Sequence, residues 1–312
     1  TILSGESING IHAIDLDQDG DMDLFDVSSS PSWYENTTST AFDPEFTDHT
    51  ITTNADGANF VYASDVDADG DMDVLSSSYD DDKIAWYEND GSESFTEHAI
   101  STSAFGAYSV YASDVDGDGD MDVLSASRND DKIAWYENDG SESFTEHVIS
   151  TSADGARSVH AADVDGDGDM DVLSASSWDD KIAWYENDGS ESFTEHAIST
   201  SADNAISVYA ADVDGDGDMD VLATSYGDDK ITWYEQEGSP VQTTYVPDDN
   251  FEQALIDLGY DDTLDDYVLT ANISSVTTLN VSNDSISDLT GIQSFTALTY
   301  LQCHINQLTS LD

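Results

Sequence analysis

Only six of the 312 residues are Lys or Arg, against 68 Asp and Glu, for a formal charge of −62. A surface so poor in positive charge repels nucleic acid and anionic lipid, which removes both as partners. There is one cysteine, Cys303, so no disulfide can form within the chain. No apolar run approaches the ~20 residues that a membrane-spanning helix requires, so membrane insertion is not expected. The chain opens on Thr1 with neither a methionine nor a signal-type apolar segment, which reads as a processed or trimmed product. Also missing are a Ser-His-Asp set, a zinc-type His/Cys cluster and an acid pair outside the repeated loops, so catalysis is not expected. The acidity is not a sign of disorder, because aromatic residues make up 10% of the chain and disordered chains are aromatic-poor.

The acids that are present fall into a pattern. The run Asp114-Val-Asp-Gly-Asp-Gly-Asp-Met-Asp122 recurs five times with small changes, starting at Asp15, Asp65, Asp114, Asp163 and Asp212. The spacings are 50, 49, 49 and 49 residues. Carboxylates stand at loop positions 1, 3, 5 and 9, a glycine at position 6 turns the backbone, and the position-7 residue offers its carbonyl. Four carboxylates crowded into nine residues repel one another unless a cation sits between them. Oxygen-only ligands in this number favour Ca²⁺ over Mg²⁺, so about five ions are expected, one per repeat. Their ligands are Asp15, Asp17, Asp19, Asp21 and Asp23, then Asp65, Asp67, Asp69, Asp71 and Asp73. The third and fourth sets are Asp114, Asp116, Asp118, Asp120 and Asp122, and Asp163, Asp165, Asp167, Asp169 and Asp171. The fifth is Asp212, Asp214, Asp216, Asp218 and Asp220. Five such ions would still leave a charge of about −52. An EF-hand needs a bidentate Glu at position 12 inside a helix. Here that position holds Asp26, Ser76, Ser125, Ser174 or Ala223, in runs that read as strands. The loop therefore joins two strands.

A period of about 49 residues frames everything else. Within residues 107–155, Ser109–Ser113, Asp122–Ala126, Lys132–Glu137 and Phe144–Ile149 read as four antiparallel strands, the third ending in an Asn138-Asp-Gly140 hairpin signal. Four strands per repeat in tandem predict the blades of a β-propeller, an all-β fold. Trp33, Trp86, Trp135, Trp184 and Trp233 hold one place in the third strand and read as inter-blade core. His49, His98, His147 and His196 hold one place in the fourth and read as structural. Lys83, Lys132, Lys181 and Lys230 each follow an Asp pair, which predicts local ion pairs. The fifth copy lacks a fourth strand, so Thr1–Ser4 is expected to complete the last blade and close the ring. The same strand offers a route to self-association.

Residues 1–238 thus read as the propeller and 239–246, with Gly238-Ser-Pro240 at its head, as a linker. Residues 247–312 read as a helical cap and the first repeats of a truncated α/β solenoid. In the cap, Asp249 and Glu252 look like a capping-box pair and Gly259 ends the helix. Val276–Val281 and Leu298–Cys303 repeat at 22 residues, with Asn306 in the asparagine-ladder place and Cys303 as a small core residue.

On these motifs, residues 1 to about 238 resemble the FG-GAP/VCBS calcium-binding repeats of integrin-α-like β-propellers. Residues 245–312 look like the cap and opening repeats of a bacterial leucine-rich repeat domain. The Phe-Gly…Gly-Ala-Pro signature that names the first family is not visible. The resemblance implies a secreted or cell-surface protein used in adhesion or ligand binding, with an extracellular glycan or protein as partner. A structural subunit or spacer of a surface assembly is the alternative, and an accessory region of a polysaccharide-degrading enzyme is a third. The copies differ mainly in the loops opposite the acidic ones, which points to a binding face there. Its expected residues are Tyr79, Phe105, Tyr108, Arg128, Arg157, Trp178 and Tyr226, a set rich in the aromatic and Arg side chains that binding hot spots favour.

Overall fold

The computed structural model describes residues 11–27, 30–37, 45–236, 243–261 and 263–309. The chain divides into two compact units, residues 1–236 and 237–312.

In the first unit every acidic loop links the first two strands of an antiparallel sheet. The first sheet is β1 (Ile11–Ile14), β2 (Asp23–Val27), β3 (Pro31–Asn36) and β4 (Phe46–Thr50). The second is β5 (Ala58–Ser64), β6 (Asp73–Ser78), β7 (Lys83–Asn89) and β8 (Phe95–Ser101). The third is β9 (Ala107–Ser113), β10 (Asp122–Ser127), β11 (Lys132–Asn138) and β12 (Phe144–Ser150). The fourth is β13 (Ala156–Ala162), β14 (Asp171–Ser176), β15 (Lys181–Asn187) and β16 (Phe193–Ser199). The fifth shows three strands among the described residues, β17 (Ala205–Ala211), β18 (Asp220–Ser225) and β19 (Lys230–Tyr234). These are the five blades of a β-propeller. The closing strand expected at Thr1–Ser4 lies outside the described residues, as does Gly238-Ser-Pro240.

The second strand of a blade is covered on both faces by its neighbours. That is why Asp122–Ser127 is buried along its whole length and lacks the alternation of a half-exposed strand. The Ser125 hydroxyl donates to Tyr136 Oη at 3.4 Å, and Ser76 does the same to Tyr87 at 3.3 Å. Loop position 12 is therefore spent inside the sheet. Blades pack through the third-strand Trp: Trp135 of the third blade meets Val172, Ala183 and Tyr185 of the fourth. Among the described residues the fifth blade has no such cover. Ile231 is 81% exposed and Trp233 43%, whereas Ile133 and Trp135 are at 0%.

The innermost strands place one ring per blade in a column. His12, Tyr62, Tyr111, His160 and Tyr209 follow one another at centroid distances of 5.1, 4.6, 4.6 and 4.5 Å. Burial pushes the His160 imidazole down to about 4 and lowers that of His12, so these rings stay neutral at pH 7.

In the second unit, β20 (Thr243–Tyr245) pairs antiparallel with β21 (Tyr267–Leu269). Residues 243–245 are therefore not the linker expected over 239–246, because their main chain is drawn into a sheet. Helix α1 (Asp249–Asp257) is capped one residue earlier than expected. Asp248 accepts from Asn250 N and Phe251 N, while its other oxygen takes Ser287 N and Asp288 N. That tertiary pull sets the helix start, and Glu252 turns away to accept from Asp265 N and Tyr267 N. After α2 (Thr270–Ser274), β22 (Thr278–Asn280) pairs in parallel with β23 (Tyr300–Gln302). Asn306 accepts from Asp284 N and Ile286 N and donates to Val281 O and Cys303 O. Cys303 is partly buried against the core of this unit. Among the described residues no helix is long and apolar enough to cross a membrane.

Candidate metal loops and a candidate binding face

The loops are knitted by their own carboxylates. In the third copy Asp114 Oδ2 accepts from Gly119 N at 3.1 Å, Asp116 Oδ1 from Asp118 N at 3.1 Å and Asp118 Oδ1 from Asp120 N at 2.9 Å. Gly119 has φ +100° with open space where a Cβ would stand, so glycine is needed for backbone conformation and not for room. The position-9 carboxylate is buried and does a second job. Asp122 Oδ2 accepts from Val115 N at 2.9 Å, and Oδ1 from Asn138 N at 2.8 Å. Asp23, Asp73, Asp171 and Asp220 each make the matching pair of bonds in their own blades. One carboxylate thus ties the acidic loop to the end of the third strand. Asn138 Nδ2 extends the tie by donating to Val66 O in the preceding blade's loop at 3.1 Å. Sequence reasoning read position 9 only as a ligand. The interval of 16 residues from the position-9 Asp to the bonded residue at the end of the third strand, kept in the second to fifth blades and 13 in the first, was the available signal.

The donor set fits a hard cation. Ligand oxygens of Asp65, Asp67 and Asp73 lie within 4.8 Å of one another, as do those of Asp114, Asp116 and Asp122, and of Asp163, Asp165 and Asp171. Two oxygens at ~2.4 Å from one Ca²⁺ are at most ~4.8 Å apart, so the spacing is right. In the first loop the triad is Asp15, Asp17 and Asp19. Asp15 Oδ1 and Asp65 Oδ1 are buried without a hydrogen-bond donor, as expected of atoms facing a cation. The position-7 side chains stand elsewhere: Asp71, Asp120 and Asp169 lie against Gly91, Gly140 and Gly189 of the third-to-fourth-strand turn. The recurrent His residues do not share a site. His98 bonds Glu88 at 2.8 Å and stacks on Trp86, and His147 and His196 repeat this with Glu137 and Glu186.

The opposite end of the blades is built differently. There, in the second to fifth blades, the two loops of a blade are joined main chain to main chain. Arg128 N donates to Gly106 O and Asn129 N to Phe105 O, both at 3.0 Å. Tyr79 and Asp80, Ser177 and Trp178, and Tyr226 and Gly227 do the same to Gly57 and Asp56, Gly155 and Asp154, and Asn204 and Asp203. Side chains that differ between copies therefore ride on one constant frame. Five of the seven expected residues form a single cluster across three blades. The Arg128 guanidinium stands 5.9 Å from the Tyr108 ring centroid and 5.0 Å from that of Trp178. Arg157 stands 5.2 Å from Tyr108, and Tyr79 meets Tyr108 edge-on at 6.4 Å. Phe105 and Tyr226 are exposed and take no part in these ring contacts. A cavity of about 280 Å³ opens beside the cluster, lined by Tyr108, Arg157, Asn59, Phe60, Ile206 and neighbouring serines. Phe60 and the serines Ser109, Ser158 and Ser207 were missed, because they sit one step inside the variable position and scarcely vary.

Residues 15–76, 65–125, 114–174 and 163–223 each match the FG-GAP-like repeat family, together more than half of the chain. The chain belongs to the FG-GAP-like repeat family. Among curated proteins, Internalin J of Listeria monocytogenes is 35% identical over 68 residues, which is 22% of this chain and 7% of that protein. Among solved structures, a lectin of Agrocybe aegerita that recognises non-reducing terminal N-acetylglucosamine superposes with a TM-score of 0.50 at 16% identity. That match covers 70% of this chain and 61% of the lectin, and it shows the fold alone.

Charge in the FG-GAP-like loops sets a pH response. Burial pushes the Asp73 and Asp122 carboxyls up to about 6, against backbone N–H donors that pull them down. A carboxyl raised in the fold holds its proton more tightly there than in the unfolded chain. In metal-free protein its contribution is therefore fully present below the unfolded value near 4 and is lost as pH rises through about 6. In excess EDTA the melting temperature is expected to be higher at pH 5 than at pH 7.5, by about 1 kcal/mol of stability for each of the Asp73 and Asp122 loops after solvent screening. In calcium the order should reverse, since protons then compete with the ion. Scanning calorimetry at the two pH values, with and without chelator, reads both signs.

Proposed function

We propose that this chain is a calcium-stabilised binding module of a secreted or cell-surface protein, recognising an extracellular glycan or protein through the end of the blades opposite the acidic loops. The observation that carries the reading is the cluster of Tyr79, Tyr108, Arg128, Arg157 and Trp178, drawn from three blades onto a hydrogen-bonded main-chain frame. Aromatic faces and guanidinium groups half-open to solvent are what interfaces and sugar sites use. Calcium would be held by Asp114, Asp116, Asp122 and their counterparts, where it supplies charge neutralisation that keeps the blade loops rigid. The lectin of similar fold supports a glycan as one class of partner. In the second unit, the parallel strands β22 and β23, 22 residues apart, support the opening turns of a leucine-rich-type solenoid.

Trp178 is 53% exposed and lies over Gly155, so its removal deletes contact surface without emptying the core. Trp178→Ala is expected to weaken retention on a glycan array by tenfold or more, with the melting temperature in calcium unchanged. If Trp178→Ala and Arg128→Ala both bind as the parent does while changes in the Asn138–Gly140 turn abolish binding, the other end of the blades is the binding face.

A second reading has its own observation. The uncovered Ile231 and Trp233 of the fifth blade favour packing against a further blade or a second copy, as a structural subunit would require. Sedimentation of Ile231→Lys beside the parent protein distinguishes this from a monomeric binder.

A further inference from the structure

With 68 acids to six bases, a cation left without a carboxylate is exceptional in this chain. Every lysine obeys the expectation. Lys83, Lys132 and Lys181 pair with Glu97, Glu146 and Glu195 at 2.7, 2.6 and 2.9 Å, and Lys230 pairs with Asp228 at 2.5 Å. The two arginines do not. Among the described residues neither Arg128 nor Arg157 has an ion pair, and Nε of each is buried with no hydrogen-bond acceptor. Their flat faces rest on Tyr108 and Trp178, which fixes the planes and leaves the donor edges unspent. A buried donor without an acceptor costs about 1–3 kcal/mol, and neither arginine is held in place by local pairing.

We propose that the cavity beside Arg157 binds a single carboxylate-bearing sugar residue at the end of a glycan. This rests on the loop face being the binding face, and adds the chemical class of its ligand. A guanidinium presents paired N–H groups that match a carboxylate in a planar, bidentate bond. Tyr108, Phe60 and Ile206 offer apolar surface to a pyranose ring, and the hydroxyls of Ser109, Ser158 and Ser207 offer partners for its hydroxyl groups. A volume of about 280 Å³ is at the small end for ligand pockets, which suits one ring. The chain's charge decides between a single anion and a polyanion. Surface charges beyond ~8 Å are screened at physiological ionic strength, so one carboxylate docked on the Arg157 guanidinium escapes most of the repulsion. A polyuronate running across the acidic surface does not.

The test is calorimetric titration of the whole chain in calcium with methyl glucuronide, the methyl glycoside of N-acetylneuraminic acid, and neutral methyl glucoside. Preference of tenfold or more for either acidic sugar supports the assignment. Which of the two binds tells a hexuronic acid from a nonulosonic acid. Arg157→Met should abolish the preference, and Arg157→Lys, which keeps the charge and loses the fork, should weaken it about tenfold, with melting in calcium unchanged. Equal or tighter binding of the neutral glucoside overturns the carboxylate assignment and leaves the binding face standing. Binding of an acetylated peptide with a free terminal carboxylate, with neither acidic sugar bound, overturns the sugar and also leaves the face standing. If the acidic sugars fail and Trp178→Ala leaves array binding intact, both readings fall together.

Discussion

Excess EDTA is expected to lower the melting temperature of the propeller unit by on the order of 20 °C. Each triad brings three carboxylates within 4.8 Å, a distance at which two unit charges repel by about 3.5 kcal/mol at an effective dielectric near 20. Relaxation and protonation relieve part of this, but the five loops share the burden across the whole unit. From the other direction, an ion present at ~100 times its dissociation constant adds about 2.7 kcal/mol per site, or about 13 kcal/mol for five. At ~2 °C or more per kcal/mol for a unit of this size, the shift is large. Circular dichroism melts in calcium and in chelator measure it directly. An unchanged melt, together with no calcium by elemental analysis, would sink the metal assignment.

The second large effect separates the two roles of the position-9 carboxylate. Asp122→Ala should cost about 3–5 kcal/mol even in chelator, because Val115 N and Asn138 N lose their acceptor inside a buried site. Asp116→Ala removes a ligand and one local turn bond on a more open loop. It should cost little in chelator and show its loss only when calcium is present. Urea titrations of both variants, in each condition, give a two-by-two comparison. If Asp122→Ala is as mild in chelator as Asp116→Ala, the carboxylate is a ligand and not a clamp.

The contrast between these two aspartates marks how far the sequence could be read. Repeat period, strand order and loop position all follow from patterns within one copy, since β-alternation and loop chemistry are local. What a local pattern cannot carry is which side chains meet across blades. Tyr108, Arg128, Arg157 and Trp178 span 70 residues, and their convergence depends on adjacent blades standing side by side with loops in register. The column from His12 to Tyr209 was hidden for the same reason, although an aromatic recurs at that inner-strand place. Lysine pairing was half visible: Asp130 precedes Lys132 in sequence, but Glu146, at 2.6 Å, comes from the neighbouring strand. The helix start at Asp248 went astray because Ser287 and Asp288, far along the chain, fix it.

The main-chain frame at the variable end has a consequence for protein engineering. Bonds such as Arg128 N to Gly106 O and Trp178 N to Asp154 O ask nothing of the side chains they connect. Positions 79, 105, 108, 128, 157, 178 and 226 can therefore be randomised as a display library while the acidic end keeps every copy folded. The limits of such a library are equally concrete. Gly155 must stay wherever Trp178 is kept, because a Cβ there would stand 2.7 Å from the Trp178 ring and 2.9 Å from Ser177 Oγ, at a φ of +69°; the fifth blade holds Asn204 at the same place with φ +53°. Diversity belongs on the rim of this scaffold, and the left-handed positions beneath it, glycine in three blades and Asn204 in the fifth, are the fixed stage.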